Sequence, residues 1–185
     1  MDLCTGTGAL ALHAARRGLR VTAVDACRRA VAAARLNARL NRLPLRVLRG
    51  DLFEPVGSER FDLVLANPPY LPTPPPASAR RLRRRSRAWD AGPDGRELLA
   101  RICAGCADHL RPGGRMVLVQ SSLAGVDATL AALDRAGLEA RVTAERAGPL
   151  GPIAAERAGY LEARGLLAPG ARGERLVVIA AARPG

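Results

Sequence analysis

With 185 residues, 48% of them apolar and 25% charged, the chain has material for one sizeable core and too little for two full domains, so a single domain over residues 1–185 is expected. No apolar run reaches the roughly 18–20 residues that cross a bilayer, and the first residues lack a signal peptide's basic start and long apolar stretch, so no membrane contact is expected and the reading is a cytoplasmic protein. The net charge of +12 rests on 29 basic residues, all arginine, and makes a positive field that attracts nucleic acid or a protein seated on it; the four irregularly spaced cysteines make neither a disulfide framework nor a zinc pattern and are expected as reduced thiols.

Short apolar runs alternate with helical periodicities, the mark of repeated strand–helix units and a mostly parallel sheet. Residues 1–4 read as the tail of a first strand. A helix over 9–17, a strand over 20–25 and a helix over 28–41 follow, the last with Val31, Ala34 and Leu40 on its apolar side. Strands are predicted over 45–51 and 61–66, a helix over 96–110, a strand over 115–120 and a helix over 126–136. Late strands near 138–144 and 174–181 bring the count to seven. Two long connections break the alternation: the Pro- and Arg-rich residues 71–94, and residues 146–173, which carry a predicted helix over 153–166 between Gly/Pro-rich turns.

The first chemical signal is Asp2-Leu3-Cys4-Thr5-Gly6-Thr7-Gly8, a strand that turns through glycines into a helix. Glycines there let backbone approach a bound group, and the exposed amide donors of such a turn favour electron-rich ligands. Asp25, at the end of the second strand, suits a carboxylate that accepts from the two ribose hydroxyls of a nucleoside; read alone it is equally a helix N-cap. Asp51 follows strand three, where a side chain can accept from an adenine amino group while Leu52 packs on the ring; its plain alternative is a turn residue. The glycine spacing by itself also fits a dinucleotide-binding turn.

Asn67-Pro68-Pro69-Tyr70 decides between these readings. It follows the apolar strand 61–66 directly, and two prolines fix the backbone, remove two N–H donors and leave carbonyl acceptors past the strand end. The Asn67 side-chain oxygen and the Pro68 carbonyl together can hold both hydrogens of a planar NH₂ group, whose lone pair is otherwise delocalised, while Tyr70 stacks on its flat face.

Taken together, these motifs resemble those of class I methyltransferases, and in particular the HemK/PrmC group that methylates release-factor glutamine. Within that group, Tyr70-Leu71-Pro72-Thr73-Pro74-Pro75 and the stretch from Ala88 through Trp89 and Gly95 to Glu97 are similar to the archaeal and eukaryotic HemK type. The resemblance implies a Rossmann-like seven-stranded sheet, mostly parallel with an antiparallel last strand and helices on both faces. It further implies S-adenosyl-L-methionine as cofactor, held by Asp2, Cys4, Thr5, Gly6, Thr7, Gly8, Asp25, Asp51, Leu52 and Asn67. Asn67, Pro68, Pro69 and Tyr70 are then the catalytic loop, no metal takes part, and the substrate is a release-factor glutamine.

Measured against that family the chain begins inside its first strand, so an N-terminal truncation is expected. It also carries an arginine run, Arg80, Arg81, Arg83, Arg84, Arg85 and Arg87, which reads either as a contact to RNA, the ribosome or an acidic partner or as a solvated loop. Trp89 either shapes the substrate pocket or packs the loop. Cys103 and Cys106 read as core residues in a helix, and His13 and His109 as surface residues away from the site. Two alternatives stay open: methylation of an exocyclic base amine in RNA or DNA, and an inactive paralogue that binds cofactor or RNA.

Overall fold

The computed structural model describes residues 1–74 and 91–185; the arginine run and Trp89 lie outside the described residues. Among those described, seven strands form one sheet in the order β3-β2-β1-β4-β5-β7-β6. Parallel pairing joins β1 (Asp2–Leu3), β2 (Val21–Asp25), β3 (Leu45–Arg49), β4 (Phe61–Ala66) and β5 (Leu110–Ser121). β7 (Gly173–Ala182) runs antiparallel to both β5 and β6 (Glu139–Pro149), as the resemblance implied.

Alternation along each strand builds two cores, because successive side chains point to opposite faces. On one face α1 (Ala9–Ala15) and α2 (Arg28–Leu40) lay Ala11, Ala14, Ala15, Val31 and Ala34 against Val21, Ala23 and Val47. The other face is larger. There Leu99, Ile102, Cys103 and Cys106 of α3 (Glu97–His109) and Leu133 of α4 (Val126–Arg135) pack on Leu3, Val24, Val64, Met116, Leu118, Val177 and Ile179. Burial pushes the Cys103 and Cys106 thiols up to about 11 and about 12, so the pair acts as apolar packing, as expected. None of the described helices is long and apolar enough to cross a membrane.

Four expectations are corrected. Leu40 is 71% exposed: the buried positions of α2 are Val31, Ala34 and Ala38, and a residue two past Ala38 lies on the far side of the helix. β5 begins at Leu110 rather than 115, continuing through a bulge at Gly113 (φ +73) whose register shifts between Phe61 and Leu63 of β4. Residues 146–149 belong to β6, so the connection to β7 is residues 150–172. Its single predicted helix is two, α5 (Pro152–Glu156) and α6 (Ala158–Ala163), parted where Arg157 turns inward and is 3% exposed.

The register fixes what emerges at the carboxyl edge. Leu3 lies opposite Val24 on one side and Ala66 on the other, so the next residues, Cys4, Asp25 and Asn67, leave the sheet as neighbours. Between β1 and β4 the strand order reverses, and in open parallel sheets the crevice at such a point is where ligands bind.

Candidate active site

The turn after β1 is built on left-handed backbone at Cys4 (φ +54), Gly6 (φ +56) and Gly8 (φ +88). The two glycines serve different ends. A Cβ on Gly6 would meet nothing within 4 Å, so this backbone borders open space, whereas one on Gly8 would press to 3.3 Å on the Ala34 Cβ and push α1 from α2. Cys4 and Leu52 (φ +48) are two of the three non-glycine residues with positive φ among the described residues, and both lie in this cleft; such backbone is costly and gathers at functional sites.

Three carboxylates converge here. Asp2 is buried beneath the turn, where its Oδ2 accepts from Thr5 Oγ1 (2.5 Å) and the Ala11 amide (3.0 Å) and its Oδ1 has no protein partner. Burial pushes its pKa from 3.8 to about 6. A folded carboxyl that holds its proton more tightly than the unfolded one loses stability as pH rises through that window, about 3 kcal/mol for two units. The unfolding free energy of wild type minus that of Asp2→Asn should therefore fall by about 2 kcal/mol between pH 4 and pH 7 in urea titrations. A difference that does not change with pH would remove Asp2 from this role.

Asp25 accepts from the Gly6 amide through Oδ2 and from the Cys27 amide through Oδ1, both at 2.8 Å. It is not the helix N-cap, a position held by Cys27, and each oxygen keeps acceptor capacity. Asp51 pairs with Arg101 of α3 at 2.7 Å, and the amide of neighbouring Gly50 donates to the Asp25 carbonyl at 3.2 Å. Both members of the pair are nearly half exposed, so its contribution to stability is at most about 1 kcal/mol and its effect is on the shape of the cleft mouth. Burial first, then the charges of Asp25, Asp2 and Asp51, push the Cys4 thiol up to about 12, which keeps it protonated and unreactive at neutral pH.

Past β4, Asn67 is exposed, Pro68 buried, and Pro69 and Tyr70 half-buried. Burial and the nearby Glu174 charge raise the Tyr70 hydroxyl pKa, so it stays neutral. The chain that follows is fastened carbonyl by carbonyl: Leu71 accepts from the Ala91 amide (3.2 Å), Pro72 from Arg157 Nη1 (2.8 Å) and Thr73 from Tyr160 Oη (3.2 Å), while the Thr73 amide donates to Gly92 (2.8 Å). Gly95, at φ +75, lies so close beneath Tyr70 that a Cβ there would collide with the Tyr70 carbonyl.

The sites expected from sequence thus fall on the ends of β1 to β4, and β1, β2 and β4 bring Cys4, Asp25 and Asn67 side by side. Arg101, Arg157 and Tyr160 were not singled out by sequence reasoning, and Gly95 entered only as part of the stretch from Ala88 to Glu97, without a structural role. His109 is half-buried rather than on the surface, stacked on Phe53 with ring centroids 4.2 Å apart.

Comparison with known proteins bears on this geometry. Residues 1–74 match the family model described as "Methyltransferase small domain". The Methanocaldococcus jannaschii protein named "Putative protein N5-glutamine methyltransferase MJ0928" is 34% identical over 145 residues, covering 78% of this chain and 72% of that protein. The release factor glutamine methyltransferase of Gloeobacter violaceus is 42% identical over 125 residues, and the chain spans 44% of its length. Among solved structures, the E. cuniculi Mtq2-Trm112 complex aligns with TM-score 0.63 at 22% identity, covering 98% of this chain and 82% of that one. A methyltransferase from Pyrococcus furiosus aligns at 0.63 and 18% identity, covering all of this chain and 75% of its own. With strand order, glycine turn and Asn-Pro-Pro-Tyr loop all in place, the chain belongs to the HemK-type family of class I S-adenosylmethionine-dependent methyltransferases.

Proposed function

We propose that this chain methylates the side-chain amide nitrogen of a glutamine in a peptide-chain release factor, with S-adenosylmethionine as methyl donor. The observation that carries the reading is the register of β1 and β4, Leu3 opposite Ala66, which sets the glycine turn next to the acceptor-gripping Asn67. The names of the relatives supply the substrate class.

The residues fit the donor. Asp25 offers spare acceptor positions to ribose hydroxyls, Leu52 is a buried apolar surface for the adenine, Asp51 reaches its amino group, and the open space over Gly6 admits the rest. Bound there, S-adenosylmethionine supplies an electrophilic methyl group on a sulfonium. The protein's part is positioning: Asn67 Oδ1 and the Pro68 carbonyl hold the two amide hydrogens, and the ring of Tyr70 covers the flat face. None of these groups is a base at neutral pH, so alignment carries the effect. The excess of arginine suits an acceptor met on the ribosome, and it speeds encounter rather than chemistry.

Labelled S-adenosylmethionine offered together with release factor and ribosomal RNA should leave its label on the release factor. Label on RNA alone would overturn the reading, and failure to bind S-adenosylhomocysteine in calorimetry would mark a chain without turnover. Asp25→Ala should weaken that binding about tenfold or more through loss of charge-assisted hydrogen bonds. An unchanged Kd would remove Asp25 from the ribose site.

A further inference from the structure

A second cavity opens on the acceptor side of Tyr70. It has a volume of about 470 Å³ and is walled by Tyr70, Leu71, Ile153, Leu176, Glu174 and Arg146 among others. The sheet topology explains it. β7 pairs with β5 only from Leu176 onward, while Gly173, Glu174 and Arg175 pair with β6 alone, so the two strands run on past the end of β5 as an arm. Because β7 is antiparallel to the parallel strands, that arm overhangs the carboxyl edge from which Asn67 emerges. Tyr70 and Leu71 form one wall, the arm another, and α5 a third.

The cavity is chiefly apolar, and its half-buried acid is held in one pose. Glu174 Oε1 accepts from the Gly151 amide at 3.0 Å and Oε2 from the Ser121 hydroxyl. A carboxylate has about four acceptor positions, so two remain for a ligand's donors. Arg146, its basic neighbour, lies on the more exposed side. A fixed anion with spare acceptor positions suits main-chain N–H groups and disfavours a phosphodiester placed against it.

We propose that this cleft seats the polypeptide that flanks the methylated side chain, and that Glu174 accepts its main-chain N–H groups, selecting a peptide acceptor over a nucleic acid. The proposal rests on the glutamine reading above and adds to it a determinant of acceptor class.

The test uses the pentapeptide acetyl-Gly-Gly-Gln-Gly-Gly-amide, an analogue with esters in place of the flanking amides, and an oligoribonucleotide. Glu174→Gln should raise the peptide KM about tenfold, with kcat within about threefold and the S-adenosylhomocysteine Kd within about twofold. The wild type should prefer amide to ester peptide, and Glu174→Gln should lose that preference, a change that general loosening of the fold does not produce. Ala147→Trp, which adds bulk on the exposed arm, should raise the peptide KM comparably with Tm unchanged. Peptide turnover by the wild type with an unaltered KM in both variants would overturn the cleft assignment and leave the glutamine reading intact. Label on the oligoribonucleotide, or no peptide turnover by the wild type, would overturn both.

Discussion

Asn67→Ala should lower methyl transfer to the acceptor by about 100- to 1,000-fold while S-adenosylhomocysteine binding weakens no more than about fivefold, the scale seen when one preorganised polar group at a reacting centre is removed. Asn67 is exposed past the end of β4, so the substitution removes little packing. What disappears is one of two acceptors that hold the NH₂ group with its lone pair toward the methyl. The Pro68 carbonyl cannot do this alone, since a single hydrogen bond leaves rotation about its own axis free. Single-turnover kinetics with labelled cofactor is the measurement; turnover within about threefold of wild type would end the role given to this amide.

Gly95→Ala should nearly abolish turnover as well, for a mechanical reason. At φ +75 any side chain costs about 1 kcal/mol, and here the added Cβ also meets the Tyr70 carbonyl and lies 3.0 Å from Pro72 Cδ and 3.1 Å from Pro72 N. Those atoms are backbone or ring and have no rotamer through which to yield, so the loop that carries Tyr70 must move. Gly113→Ala is the matched control: φ is +73 and its Cβ would meet nothing within 4 Å, so only the backbone strain remains. We expect about 1 kcal/mol of destabilisation and full activity for Gly113→Ala, against a drop of about 100-fold in kcat for Gly95→Ala with cofactor affinity kept. Equal activities in the two variants would show that the carbonyl contact is immaterial.

The parts of this site that were legible in sequence are those encoded locally. A strand that ends in Cys-Thr-Gly-Thr-Gly must turn where glycine permits it, and a strand that runs into two prolines must stop pairing, so β1, β4 and their loops were readable from a few adjacent residues. Arg157 and Tyr160 were not, because the carbonyls they hold lie 85 and 87 residues away and any backbone carbonyl is chemically alike. The split between α5 and α6 escaped for the same reason: apolar spacing over 153–166 suits one helix, and the break falls at Arg157, buried with its guanidinium on the Pro72 carbonyl. Leu40 misled because a leucine in an amphipathic helix reads as core, while the facing sheet admits alanines.

The strand order sets β1 between two flanks, with β2 and β3 on one side and β4, β5, β7 and β6 on the other. Any molecule that touches the turn after β1 and the loop after β4 at once works as a staple between the two flanks, and a ligand that binds only the folded form stabilises by mass action. Amides of the turn after β1 and of the strands beside it should thus exchange with deuterium more slowly when the cleft fills.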